Sequence, residues 1–353
     1  MPRTILVTGA TGFTGGRLAR RLAARGEAVR VLARTAARAE ALAAEGFDVR
    51  VGPLTDSAAV LAAARGCEQI YHIAAVFRTA GHPDSYYREI NVGGTLNVLE
   101  AARRLNCERV IHCSTVGVHG HIAKPPADER YPFGPGDIYQ RTKLEGELAA
   151  AAAARRGQRV VIVRPASITG EGDLRLLKLY RSIERGVFVM IGSGAPKFHM
   201  VHIDDLVDGF LLCGGSEAAI GEVFIFAGPE APTLNELVHH IAATLGVPER
   251  RLRIPLWPVK TAGALCEALC VPLGLEPPIH RRRVGFFTHH REFDCSKARS
   301  LLGYAPGITP AALVARTVAW YRANGYLKSA AADASGRTAP PARSQRGAIA
   351  RHD

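Results

Sequence analysis

Apolar residues come in short unbroken runs through the first half of the chain. Thr4–Thr8 reads Thr-Ile-Leu-Val-Thr, and Ala28–Ala33 holds a second run. Further strand-like stretches, rich in apolar residues, lie at 47–51, 68–74, Arg109–Cys113 and 159–164. Runs of this length, bounded by glycine and polar residues, read as buried strands. Between them apolar positions recur every three to four residues. This predicts helices over Phe13–Ala24, 36–45, 57–65, 86–105 and Ile138–Arg155. Strands alternating with helices imply a parallel sheet covered on both faces, an α/β doubly wound arrangement.

The pattern loosens after Pro165. Helical stretches are expected near 174–185, 204–213, Leu234–Leu245, 259–269 and 310–324, with strand-like pieces at 199–203 and 222–227. The reading is a dinucleotide-binding domain over 1–165, to which later segments return. A smaller mixed α/β substrate lobe spans 166–328. Residues 329–353 are rich in Ala, Arg, Pro and Ser without periodicity and are expected to be a disordered tail.

At 353 residues the chain is long enough to bury a large core without disulfides. Its basic surplus is 45 − 32 = +13, which suits cofactor phosphates or an anionic membrane surface. No nucleic-acid motif accompanies the charge, so nucleic acid is not an expected partner. The seven cysteines, at 67, 107, 113, 213, 266, 270 and 295, are odd in number and include no Cys-x-x-Cys pair. They read as free thiols of a reducing, cytoplasmic setting, and no metal site is expected. No apolar run is long enough to span a membrane. The opening Met1–Gly12 stretch meets glycine too soon to read as a secretory signal.

Strand one runs into Gly9-Ala10-Thr11-Gly12-Phe13-Thr14-Gly15, a G-x-x-G-x-x-G loop between a strand and a helix. Gly9 permits the tight turn, Gly12 lets backbone approach a pyrophosphate, and Gly15 allows close helix–strand packing. The helix N-terminus faces the negative charge. A dinucleotide is therefore the expected cofactor. At the end of strand two stands Arg34, with Arg38 one helical turn on, and no acid. Arginine forks suit the extra phosphate of NADP, so NADP is favoured slightly over NAD.

Tyr139 and Lys143 stand four residues apart, on one face of the helix predicted there. An ammonium beside a phenol favours the phenolate. Such a tyrosine can exchange a proton with an alcohol or carbonyl. The hydroxyl pair Ser114-Thr115 follows another predicted strand.

Taken together, these residues resemble the extended short-chain dehydrogenase/reductase superfamily, over roughly residues 4–325. The resemblance also rests on His72-Ile73-Ala74-Ala75, Asn91-Val92-Gly93-Gly94-Thr95, Arg164-Pro165 and Val201-His202-Ile203-Asp204-Asp205-Leu206. Phe293-Asp294-x-Ser296-Lys297-Ala298, leading to Leu302-Gly303-Tyr304, adds to it. It implies a Rossmann fold and Tyr139 as acid/base, with Lys143 also holding the nicotinamide ribose. Thr115, three residues before Val118-His119-Gly120, takes the catalytic hydroxyl role with Ser114 as its neighbour. It further implies a cofactor lying along Gly9, Thr11, Gly12, Phe13, Thr14, Gly15, Arg34, Leu54, Ala74, Asn91, Pro165 and Ile168. Homodimers through the helices at 86–105 and 138–155 are usual for the family.

There are departures. Gly52-Pro53-Leu54 lacks the family's adenine-contacting Asp, and Asp56 reads as a helix cap. His119 replaces a common tyrosine, and His72 reads as structural. Nucleotide-sugar members often carry an Asn where Ser167 stands and an Arg where Phe198 stands, with Lys197 the nearest substitute. Arg164-Pro165-x-x-Ile168-x-Gly170-x-Gly172-Asp173 looks more like the 3β-hydroxysteroid dehydrogenase and dihydroflavonol-reductase-like branch. So does the apolar Ile254-Pro255-Leu256-Trp257-Pro258 stretch. The resemblance implies hydride transfer to or from a ring alcohol or ketone of an apolar small molecule, with peripheral membrane contact left open. The alternatives are a nucleotide-sugar epimerase or dehydratase with tightly bound NAD, and a non-catalytic cofactor-binding protein.

Overall fold

The computed structural model describes residues 3–77, 81–250, 252–259, 261 and 281–328, the side chains of 281–284 excepted. Most of the helix expected at 259–269, Cys266, Cys270 and the 329–353 tail lie outside these residues.

Seven parallel strands form the main sheet: β1 (Thr4–Thr8), β2 (Ala28–Ala33), β3 (Asp48–Val51), β4 (Gln69–His72), β5 (Arg109–Cys113), β6 (Val160–Pro165) and β10 (Val223–Phe226). Their order is β10-β6-β5-β4-β1-β2-β3. Helices α1 (Phe13–Ala24), α2 (Ala36–Ala44), α3 (Ser57–Ala64), α5 (Gly94–Arg104) and α6 (Ile138–Arg155) cover the sheet, joined by α8 (Ile203–Gly215). This is a Rossmann-like doubly wound sheet. Strands β1, β4, β5 and β6 are almost wholly buried, as a sheet covered on both faces requires. One apolar core packs against α1 and α8 and the other against α3, α5 and α6.

Strand order reverses between β1 and β4, which opens a crevice at their carboxyl ends where ligands of such sheets bind. Gly9 and Ala74 sit at that crevice. Gly9 has φ +78°, and a Cβ there would come within 2.7 Å of the Ala74 backbone nitrogen. Only glycine lets the two strand ends close so far.

The helix expected over 86–105 runs without interruption from residue 84 to 104, but widens at one point. α4 (Asp84–Arg88) passes into a π-turn over Glu89–Gly93 before α5 begins. The turn sets Asn91 inward. Asp56 caps α3 as expected, accepting from the backbone nitrogens of Ala58 and Ala59.

The remaining elements include β7 (Ser167–Thr169) paired with β9 (Met200–His202), β8 (Met190–Ile191) paired with β11 (Arg253–Ile254), and helices that pack together beside them. Those helices are α7 (Leu177–Glu184), α9 (Leu234–Leu245), α10 (Arg281–Thr288) and α12 (Pro310–Ala323). They share a third apolar core around Tyr180, Leu237, Ile241, Val314 and Tyr321. The short α11 (Ser296–Leu302) packs near β10 instead.

Candidate functional site

The glycine loop connects β1 to α1 at the crevice. The Gly12 nitrogen donates to the Gly9 carbonyl at 3.0 Å, closing the turn. A Cβ on Gly15 would collide with the Gly9 carbonyl, so close packing demands glycine there. Gly12 differs. It is exposed, and the nearest atom to a Cβ on it would be the Gly9 oxygen at 3.3 Å. Its outer face is free for a ligand to meet backbone. The first turn of α1 carries no acid and no side-chain cap. Its backbone donors at Phe13 and Thr14 therefore suit an oxyanion. These residues fit a dinucleotide diphosphate.

Beside the loop lies a cleft of ≈ 650 Å³ lined by Thr11, Gly12, Phe13, Arg17, Arg20 and Arg38, among others. The two arginines after β2 part company here. Arg34 is exposed and directs Nη1 to the Tyr86 hydroxyl at 3.3 Å. Arg38 lines the cleft. Leu54 packs against Gly94 at the start of α5, and its carbonyl accepts from Asn97.

α6 starts at an Asp137 cap and carries Tyr139, Lys143 and Glu147 at four-residue intervals. The Tyr139 ring meets the Phe77 ring edge-on, with centroids 4.9 Å apart. Lys143 is buried, and its Nζ donates to the Cys113 carbonyl at 2.6 Å. Burial pulls the lysine pKa down, while Cys113 and the Glu147 carboxylate oppose the fall. The ammonium is thus fixed at the end of β5, one helical turn below the phenol.

The two hydroxyls that follow β5 face different partners. Ser114 is buried and donates to the Glu147 carboxylate at 2.5 Å. Thr115 is half-buried, and its Oγ1 accepts from the Gly117 nitrogen at 3.0 Å. That bond leaves the Thr115 hydroxyl hydrogen for another acceptor. Glu147 is also bound by Arg164 through Nε and Nη2, both side chains being 3% exposed. Arg164 Nη1 completes the network at His119 Nε2 and the Glu129 carbonyl. Glu147 was not singled out from sequence, although its spacing from Lys143 repeats that of Lys143 from Tyr139.

Asn91 ties the crevice to α6. Its amide oxygen accepts from Val76, and its Nδ2 donates to the Val76 carbonyl and to Thr142 Oγ1. His72 is indeed a buried bridge, between Thr8 at 2.8 Å and Thr95 at 3.0 Å. Burial, helped by the charge of Lys143, pulls its pKa down to about 3.

A glycine-loop crevice facing a tyrosine and a buried lysine on one helix is a dinucleotide enzyme's arrangement, and residues 5–225 match the model of the NAD-dependent epimerase/dehydratase family. The chain belongs to that family. It is an extended short-chain dehydrogenase/reductase, a class of NAD-dependent dehydrogenases, reductases, epimerases and dehydratases. Sterol demethylase protein B of Methylococcus capsulatus is 32% identical over 340 residues, covering 92% of this chain and 100% of that protein. The 2-alkyl-3-oxoalkanoate reductase of Stenotrophomonas maltophilia is 30% identical, covering 86% and 95%. Among solved structures, DesIV of Streptomyces venezuelae, a dTDP-glucose 4,6-dehydratase with NAD and TYD bound, superposes with a TM-score of 0.72. It is 27% identical and covers 92% of this chain and 99% of that one.

Other residues singled out from the sequence lie on β6, on β7 and in the segment before β9. Pro165 closes β6 beside β10, and Ile168 lies on β7. Lys197, the nearest substitute for a sugar-nucleotide arginine, is paired with Glu292 at 2.7 Å. Phe198 is buried against the Phe286 ring. Glu171, His202 and Asp204 gather within 4.8 Å, a cluster with no sequence signal. Their carboxylates are taken by arginines: Arg17 and Arg316 hold Asp204, and Arg316 holds Glu171. The cluster is an ionic knot tying α1 and α12 to the loop after β7. Among the described residues no helix is long and apolar enough to cross a membrane.

Proposed function

We propose that the chain transfers hydride between a nicotinamide cofactor and an apolar ring alcohol or ketone, sterol-like in class, with Tyr139 exchanging the proton. The observation that carries this reading is the shared face of α6. Tyr139 stands one turn from Lys143, whose ammonium is pinned on the Cys113 carbonyl. The cofactor supplies the hydride chemistry at its nicotinamide ring. Lys143 favours the deprotonated phenol by its charge. Thr115 donates to the substrate oxygen and so orients it toward Tyr139. NADP is the preferred form in this reading, through Arg34 and Arg38.

The apolar substrate class is supported by the name of the sterol demethylase relative and by the residues that would hold a nucleotide sugar. Phe198 is core and Lys197 is spent on Glu292. Exposed Trp257, Leu252 and Ile254, beside exposed Arg250 and Arg253, support peripheral contact with a lipid surface. Exposed Leu96 on α5 and Leu148 on α6 support a homodimer through these helices. Among the described residues Cys67, Cys107, Cys113, Cys213 and Cys295 form no disulfide, which supports a reducing, cytoplasmic setting.

The test is nicotinamide absorbance with 3β-hydroxysteroids, 3-ketosteroids and flavonoid ketols, each with NAD(H) and NADP(H), in wild type and Tyr139→Phe. Turnover by the wild type and a loss of about 10²–10⁴-fold in the variant are expected. UDP-hexose interconversion without net cofactor change would replace this reading by the epimerase one.

A further inference from the structure

Arg175 lies between β7 and α7, beside two aromatic rings of the crevice. Its guanidinium carbon lies 5.9 Å from the centroid of the Phe13 ring and 5.7 Å from that of Phe77. Phe13 is the first residue of α1, at the end that suits a diphosphate. Phe77 is the ring that meets Tyr139 edge-on. The guanidinium therefore spans the distance from the diphosphate-binding turn to the proton-transfer residue. A dinucleotide seated on the glycine loop, with its nicotinamide at Tyr139, must run through this interval.

The arginine is held in place. Its Nε donates to Asp173 Oδ1 at 2.7 Å and its Nη2 to Oδ2 at 3.2 Å, while Nη2 also meets the Ile168 carbonyl. Asp173 is buried, and its own carbonyl accepts from the Tyr321 hydroxyl at 2.5 Å. The Arg175 side chain itself stays exposed, so a ligand can reach it, while the buried Asp173 carboxylate fixes its direction. Asp173 takes one edge of the fork. A guanidinium has five donors, so the pairing leaves N–H groups to give. The two aromatic faces select a planar cation and keep it in the crevice. The segment that carries it bends at Gly170 (φ +141°) and Gly172 (φ +100°), and Gly172 lets the Phe13 ring approach.

We propose that Arg175 is an oxyanion clamp, its guanidinium gripping the diphosphate of the bound dinucleotide while the glycine-loop backbone grips the same group. The proposal rests on the reading of this crevice as a dinucleotide site. A substrate carboxylate has the same chemistry and is the competing source of the oxyanion.

Calorimetric titration decides between them. Wild type, Arg175→Met and Arg175→Lys are titrated with NADH, NADPH, ADP-ribose and adenosine, alongside the unfolding temperature of each protein without ligand. Arg175→Met keeps the apolar stem that lies on the rings. It should weaken NADH, NADPH and ADP-ribose by about ten- to a hundred-fold, the usual worth of a charge-assisted hydrogen bond. It should leave adenosine, which carries no phosphate, unchanged, and Arg175→Lys should recover part of the loss. Unchanged dinucleotide affinity overturns the clamp. If the KM for a carboxylate-bearing alcohol then rises, the arginine belongs to the substrate instead. An equal loss for adenosine, or a lowered unfolding temperature with no selective loss, makes Arg175 structural and also overturns it. A wild type that binds none of the four ligands overturns the dinucleotide reading itself, and the clamp with it.

Discussion

Glu147 accepts a 2.5 Å hydrogen bond from Ser114, while the next residue, Thr115, turns its oxygen to the Gly117 nitrogen. Two adjacent hydroxyls that look interchangeable in the sequence thus have separate environments. Ser114 is part of a buried ionic network. Thr115 keeps a hydrogen to donate at the crevice. Thr115→Val should lower turnover about 10²- to 10³-fold, the scale for losing one donor to a developing oxyanion. Ser114→Ala should instead lower stability by about 1.5–3 kcal/mol, the worth of a hydrogen bond to a charged group, with turnover within a few-fold of wild type. Steady-state kinetics and urea unfolding on both variants check this. The reverse pattern would move the catalytic hydroxyl to Ser114.

Gly12 and Gly15 separate binding from folding. A side chain on Gly15 collides with the Gly9 carbonyl, whereas one on Gly12 meets nothing closer than 3.3 Å. Gly12→Val should therefore fold and lose dinucleotide affinity, because its isopropyl group covers backbone that a pyrophosphate must approach. Gly15→Val should fail at folding, through overpacking between helix and strand. Circular dichroism and cofactor titration measure the two effects. A folded Gly12→Val with wild-type affinity would remove the diphosphate from this loop.

Buried histidines set a pH dependence. His72 and His112 are 1% exposed with ring centroids 5.4 Å apart, and burial lowers both pKa values, that of His72 to about 3 and that of His112 well below its usual value. In the unfolded chain each titrates near 6.5. Below that pH the unfolded state takes up protons that the native state refuses, so stability falls with pH. His72 should cost about 2 kcal/mol between pH 7 and pH 5 by this linkage, and His112 should add a cost of the same sign. Among the described residues neither ring nitrogen of His112 has a hydrogen-bond partner, so His112→Leu forfeits no such bond. That variant should lose less stability over the same interval, by about one histidine's share. Urea titrations at the two pH values test it, and an unchanged difference would show that His112 is protonated in the native state.

The α/β alternation was legible because β1, β5 and β6 are short stretches built on Ile-Leu-Val, Val-Ile and Val-Val-Ile-Val between helical stretches. The glycine loop and the Tyr139–Lys143 pair were legible because their chemistry depends on spacing. Other features carry no such pattern. Strands β7, β8 and β11 are two or three residues long, too short for a period to show. The π-turn at Glu89–Gly93 is a backbone event inside a sequence with helical periodicity. Its consequence, the inward Asn91 amide holding Val76 and Thr142, depends on two segments distant in sequence. Arg175 is one arginine among many in the sequence. Its place between Phe13 and Phe77 exists only once the loop after β7 lies over the crevice.

Cofactor choice turns on which arginine reaches the adenosine ribose. The sequence favours Arg34, the first residue after β2, with Arg38 sharing the load. In the fold Arg34 leans on the Tyr86 hydroxyl at 3.3 Å, on the α4 side. Arg38 instead lines the cleft that also contains Thr11 and Gly12. The cleft's other arginines are committed, Arg17 to Asp204 and Arg20 to Glu45. A 2′-phosphate entering beside the glycine loop would therefore meet Arg38 first. Arg38→Ala should weaken NADPH by about ten- to a hundred-fold, the equivalent of about 1.5–3 kcal/mol for a charge-assisted contact, and leave NADH unchanged. Arg34→Ala should have the smaller effect on NADPH. Raising the salt should narrow the difference between the two cofactors in wild type, because an ionic contact is screened. Dissociation constants for both cofactors, measured in both variants at two salt concentrations, decide the matter. A wild type that binds NADH more tightly would show that neither arginine holds a 2′-phosphate. A preference abolished by Arg34→Ala alone would return the role to the strand-end residue.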